Sequence, residues 1–150
     1  MTWPDPGIPA DRVPPLAVFP DRGVGLIQPA GVLRADAVLG AGYALASDPA
    51  WRPGFDEFWD LRAVEGLDFE KSDLKRFMTM ESHVGGHLAG SRTLIVAPPS
   101  LKDTAWMVRA YARVARMFGR EVYAHPSVEA ALRDLAARGR PAGPVPTLTA

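Results

Sequence analysis

Residues 58–77 read FWDLRAVEGLDFEKSDLKRF. The fold turns on how this stretch is parsed: an aromatic-rich strand runs out through a short loop into an amphipathic helix. Asp60 and Arg62 fall near the strand's end, and Ser72 near the helix's start. Such junctions are the repeating unit of α/β proteins, whose ligands gather beyond the carboxyl ends of the strands.

The same alternation extends outward on both sides. Upstream, LAVFPDRGVGLIQPAG (16–31) holds two short apolar runs around Pro20-Asp21-Arg22-Gly23, the signature of a hairpin. Residues 34–47 carry a helix pattern in which Gly40 and Gly42 lower propensity but allow close packing on a neighbour. GFDEFWDLR (54–62) is the strand that opens the junction, and KSDLKRFMTMESHV (71–84) the helix that closes it.

Downstream, RTLIVA (92–97) is a buried strand stopped by Pro98-Pro99, and residues 101–119 form the longest helix. REVYAH (120–125) is the next strand, and SVEAALRDLAAR (127–138) the last helix, with Ser127 as its N-cap. These elements predict an α/β single domain. Its mixed, mostly parallel β-sheet is opened by a hairpin and covered by about four helices. Residues 1–16, with five prolines, predict an extended or flexible arm before a domain at 17–138. Residues 139–150, with three more, predict a loose tail.

Composition narrows the function classes. The 150 residues are one domain's worth of chain, and 17 basic residues balance 17 acidic ones. No global field therefore steers the chain to nucleic acid or to an anionic membrane. The lack of cysteine removes thiol chemistry and fits a reducing compartment, so a cytoplasmic location is expected. No leader pattern opens the chain, and the longest apolar run, Ala37 to Ala46, is about half a membrane span. Fourteen of the 17 basic residues are arginine and asparagine is absent, a bias that points to a GC-rich bacterial coding sequence.

Together DPAWRPGFDEFWDLR (48–62), IVAPPS (95–100) and VYAHPSVEAALRDL (122–135), after a hairpin start, resemble the SpoIIAA-like, or STAS-like, bacterial domain family. The resemblance rests on the order and spacing of these motifs over residues 17–138. It implies a small domain, usually non-catalytic, that binds protein partners as a regulatory switch. Related folds of the CRAL-TRIO kind carry apolar ligands.

In anti-sigma-factor antagonists of this family, a serine at the start of the helix after the third strand is phosphorylated. Their pattern runs Asp-Leu-Ser, then a hydrophobic stretch, then Asp-Ser-Ser-Gly. Laid without gaps on residues 60–71, Asp60 and Asp68 match, but Phe69 stands at the phosphorylated serine and Lys71 at the glycine. The phosphoserine switch is therefore expected to be missing. Ser72, three residues on, is expected as a helix N-cap or as an early-turn residue ahead of Asp73, its hydroxyl serving an orphan backbone N–H.

Among the remaining candidates, Asp60 and Arg62 sit two apart and share a strand face, either as an ion pair or as a grip on a polar ligand. His83 and His87 are spaced like helical metal ligands, but they lie on the predicted solvent side beside Arg76, so no metal is expected. Glu81 falls among the apolar positions of its helix, either as a partly buried carboxylate with a raised pKa or at a point where the helix frays.

On the longest helix Lys102, Arg109, Arg113, Arg116 and Arg120 fall in a stripe roughly 60° wide, opposite Met107, Tyr111, Val114 and Phe118. The stripe is either a solvated face or a docking surface for an acidic partner or lipid head groups. No aromatics interleave with it, which argues against nucleic acid.

Neither a phosphate loop nor a nucleophile elbow is present, and GAGYAL lies inside a helix pattern rather than after a strand. The expected function is a non-catalytic regulatory or protein-binding domain without a cofactor. A carrier of a small apolar or lipid-like ligand is the alternative, resting on Phe55, Trp59, Phe77, Met78, Met80, Trp106 and Met107. An enzyme built on Asp60 and Arg62 comes third. Homo-oligomers are left open.

Overall fold

The computed structural model describes residues 7–102, 104–139, 145, 146 and 148. A five-stranded sheet is made by β1 (Leu16–Phe19), β2 (Val24–Ile27), β4 (Asp56–Asp60), β6 (Arg92–Val96) and β7 (Glu121–His125), in that spatial order. β1 and β2 form the antiparallel hairpin, and every later pairing is parallel. The expected α/β architecture is what the described residues adopt: four helices on a mixed, mostly parallel sheet.

The helices are α1 (Ala35–Ser47), α2 (Asp73–Val84), α3 (Thr104–Met117) and α4 (Val128–Ala137). Strand alternation sends Ile27, Trp59 and Ile95 to one face, where they pack with residues of α1, α2 and α3. Val24, Leu26, Phe58, Leu94 and Val96 face the other way, onto Val128, Ala131 and Leu135 of α4. Three helices thus cover one face and one helix the other. The five strands run across the sheet in chain order, with no reversal. The switch-point crevice that binds ligands in doubly wound folds has no counterpart among them.

Two further strands, β3 (Gly31–Arg34) and β5 (Val64–Asp68), pair in parallel as a separate ribbon beyond the ends of β2 and β4. The sequence pattern predicts a loop where β5 lies and no strand where β3 lies. Each strand is too short and mixed to signal itself, and each forms because the other is brought alongside. Arg34 and Asp68 close the ribbon's end with an exposed ion pair at 3.0 Å.

The two helical glycines are contact points. A Cβ at Gly40 would meet Val13 Cγ2 at 3.0 Å and Ile8 Cγ2 at 3.3 Å, so the part of the arm from residue 7 onward packs on α1. A Cβ at Gly42 would overlap Met80 Sδ on α2. The arm also forms a 3-10 turn at Ala10–Arg12, and Pro14 is buried. The part of the expected flexible arm at residues 1–6 lies outside the described residues. Among the described residues no helix is long and apolar enough to cross a membrane.

Candidate functional site

The buried central strand β4 carries three acids, and each meets an arginine. Asp56 accepts from Arg92 at 2.7 Å, and Arg92 reaches on to Asp134 at 3.2 Å. Glu57 pairs with Arg120, and Asp60 with Arg62. A fully buried strand with acids at these positions demands basic partners, because an unpaired buried carboxylate is costly. That was the available signal, and residue spacing alone pointed only to Arg62.

Arg62 grips Asp60 with both ends of its fork, Nε to Oδ1 at 2.9 Å and Nη2 to Oδ2 at 2.8 Å. Its backbone N–H donates to Oδ1 as well, and Gln28 Nε2 donates to Oδ2 at 3.2 Å. Burial alone would raise the Asp60 pKa, but these bonds and the Arg62 charge hold it below the ordinary value. The Asp60 carboxylate is thus saturated by its own chain, and the pair organises a strand end.

Ser72 stands at the start of α2 as the early-turn residue ahead of Asp73, not as the cap. Its backbone is already helical, at φ −61° and ψ −25°, and its hydroxyl points to Glu70 Oε2 at 3.4 Å. An N-cap needs extended backbone. The turn begins earlier: the Glu70 N–H donates to Asp73 Oδ2 at 2.8 Å, one half of a capping box. Phe69 packs edge-on to Phe77, with ring centroids 6.0 Å apart. Ser127 does cap α4, accepting from the Ala130 N–H at 3.1 Å.

Of the arginine stripe, Arg109, Arg113 and Arg116 are exposed on the outer face of α3 and make no ion pair among the described residues. Lys102 is exposed just before the helix. Met117, 62% exposed, lies one turn beyond Arg113. Met107, Tyr111 and Val114 face the core, as the periodicity requires.

Arg120 is not part of this surface. The helix stops at a Schellman turn, with Gly119 at φ 77°, its N–H donating to the Arg116 carbonyl, and the Arg120 N–H donating to the Ala115 carbonyl. Helical phase ends there, and the Arg120 side chain turns inward to 0% exposure. Projecting one wheel past Gly119 placed it wrongly.

Inside, Arg120 bonds Glu57, Glu81 and, at 2.7 Å, Thr93 Oγ1. Thr93 Oγ1 donates to Glu57 Oε2 at 2.7 Å, and the Tyr111 hydroxyl to Glu81 Oε1 at 3.3 Å. Glu81 is buried as its helix position implied. Desolvation lifts its pKa, offset only in part by Arg120. The cluster is sealed from solvent, so it acts as a structural core rather than a place where a substrate is gripped.

His83 is half-buried and faces α1, its Nδ1 2.8 Å from the Tyr43 hydroxyl, and not solvent as its wheel position implied. α2 ends before His87, and no group of three or more potential ligands suited to a metal occurs among the described residues. Of the apolar carrier residues, Trp59, Phe77 and Met107 do converge on a cavity between the sheet and α2–α3. Met80 is buried against α1, Met78 is 36% exposed, and Phe55 packs edge-on against Trp51.

Neither the protein-family models, nor the curated proteins, nor the solved structures contain a match to this chain.

Proposed function

We propose that this chain is a non-catalytic bacterial regulatory or protein-binding domain of STAS-like design, without the phosphoserine switch, that captures an acidic partner on the outer face of α3. The observation that carries this reading is the triad Arg109, Arg113 and Arg116: exposed, on one face, and free of ion pairs among the described residues. By contrast Arg34, Arg62, Arg76, Arg92, Arg120 and Arg138 all have carboxylate partners within the chain. Guanidinium forks suit partner carboxylates. The exposed Met117 among them supplies the mix of arginine and methionine that protein interfaces enrich. On this reading the protein works in the cytoplasm, in keeping with its cysteine-free composition.

The test is capture from the protein's own cell extract by immobilised wild type and by the triple variant R109S/R113S/R116S. The variant is expected to melt like wild type and to capture no partner. Wild-type capture should weaken as salt shortens the Debye length to about 3 Å near 1 M. Equal capture by both proteins at low salt sinks the reading.

The carrier reading draws on the cavity lined by Trp59, Phe77, Met107 and Tyr111, whose volume of about 30 Å³ gives it less support than the arginine face has. An apolar cavity that takes up benzene measures about 150 Å³. A carried lipid would have to prise α2 or α3 off the sheet, and a lipid co-purifying in native mass spectrometry would revive the idea.

A further inference from the structure

The sheet face under α4 holds a second feature, independent of the arginine face. Val145, Pro146 and Leu148, from the expected loose tail, are half-buried against this face. Their seat has a floor of Val24, Leu26 and Phe58 and a wall of Leu132 and Leu135. One side chain grips the backbone of the segment. Gln28 Nε2 donates to the Pro146 carbonyl at 2.9 Å, and the Leu148 N–H donates to Gln28 Oε1 at 2.7 Å. A carbonyl and an N–H that flank one residue, bonded to one partner, are the pattern a residue of a parallel strand makes. The Gln28 amide imitates such a residue at the end of β2.

Gln28 is itself held. Its Nε2 also donates to Asp60 Oδ2, whose carboxylate is fixed in turn by the Arg62 fork. The Asp60–Arg62 junction thus orients the amide that reads a passing backbone. Backbone bonds give such a site its grip, and apolar seats on either side of the gripped residue give it selectivity.

We infer that the groove between β2, β4 and α4 is a binding site for an extended apolar–Pro–x–apolar segment of a partner protein, filled in cis by this chain's own Val145, Pro146 and Leu148. The reasoning is that the groove reads main chain through Gln28 and two apolar side chains through the sheet. Any segment with this spacing that arrives extended makes the same contacts. The tethered tail competes at an effective concentration in the millimolar range, so an incoming segment must displace it.

The test uses a fluorescent peptide of residues 143–150, GPVPTLTA, and a scrambled control, with binding read by anisotropy on full-length proteins. V145D/L148D, checked for folding by circular dichroism, releases the tail. It should bind the peptide at least about tenfold more tightly than wild type, since the tether no longer competes. Adding Gln28→Ala to that variant should weaken binding at least about tenfold again, as the backbone grip is lost.

No binding to the folded V145D/L148D variant, or equal binding of the scrambled peptide, overturns the inference. So does failure of that variant to fold while Gln28→Ala alone stays native, because the tail would then be ordinary core. A wild-type dimer that V145D/L148D converts to monomer would assign the groove to a second copy of this chain, and would equally overturn the partner reading.

Discussion

Glu81 and Arg120 bond one another with both side chains at 0% exposure, 39 residues apart in the chain. Glu57 reaches the same guanidinium from the central strand. With both carboxylates ionised the cluster carries one negative charge in excess. Glu81 Oε2 and Arg120 Nε have no hydrogen-bond partner among the described residues. Removing two or three ions from water costs several kcal/mol each, and the mutual attraction repays that only with full satisfaction. The cluster therefore fixes how β4, β6, α2 and the α3–β7 turn meet, more than it adds net stability.

Breaking the cluster should accordingly hurt far more than replacing it. Arg120→Ala leaves two buried carboxylates unpaired and is expected to cost about 3–5 kcal/mol. The triple change Glu57→Leu, Glu81→Met and Arg120→Met should come close to wild type or above it, since apolar replacement of buried ion clusters is often neutral or stabilising by about 1–4 kcal/mol. Urea unfolding of both variants measures this, and a triple variant as unstable as Arg120→Ala would refute the interpretation.

Protonation of Glu81 should show in stability against pH. Its folded pKa is raised above the ordinary value of 4.5 by burial. A group raised on folding holds more protons folded than unfolded, so its contribution is complete below the unfolded value and lost as pH rises through the folded one. Glu81→Gln is neutral at every pH. The advantage of wild type over this variant should therefore be greatest below about pH 4.5 and shrink as pH rises. Urea midpoints for both proteins across that range test it, and parallel curves would show that Glu81 does not titrate as argued.

Much of this architecture was legible because periodicity reports burial: the hairpin, the three later strands of the main sheet and all four helices follow from it. The ribbon of β3 and β5 was not, since VEGLD and GVLR carry no alternation strong enough to read without the partner strand. Arg120 was misplaced because a helical wheel has no meaning beyond a glycine that reverses the chain. Gln28 was invisible for a different reason. A single amide after a strand has no pattern at all, and only the tail's return across 118 residues gives it one.

The α2 start gives a prediction that separates residue type from position. Ser72 occupies helical backbone and makes only a 3.4 Å contact, so Ser72→Ala should change stability by no more than about 0.5 kcal/mol. Asp73 accepts the Glu70 N–H and pairs with Arg76, so Asp73→Ala should cost about 1 kcal/mol, the usual loss of a capping side chain. Thermal melts of the two single variants distinguish them. A larger loss from Ser72→Ala than from Asp73→Ala would restore the serine as the cap.

Gly42 offers the sharpest test of packing. Glycine inside a helix costs about 1 kcal/mol relative to alanine, so Gly42→Ala would stabilise α1 if propensity alone acted. Its Cβ would instead overlap Met80 Sδ, and Met80 is 1% exposed, with no solvent to swing into. Overpacking of this kind costs about 1–3 kcal/mol, enough to reverse the sign. In a Met80→Ala background the obstacle is gone and the same substitution should stabilise. A double-mutant cycle by urea unfolding should thus give a coupling of at least about 1 kcal/mol. Additive effects would mean that α1 and α2 do not meet through this glycine.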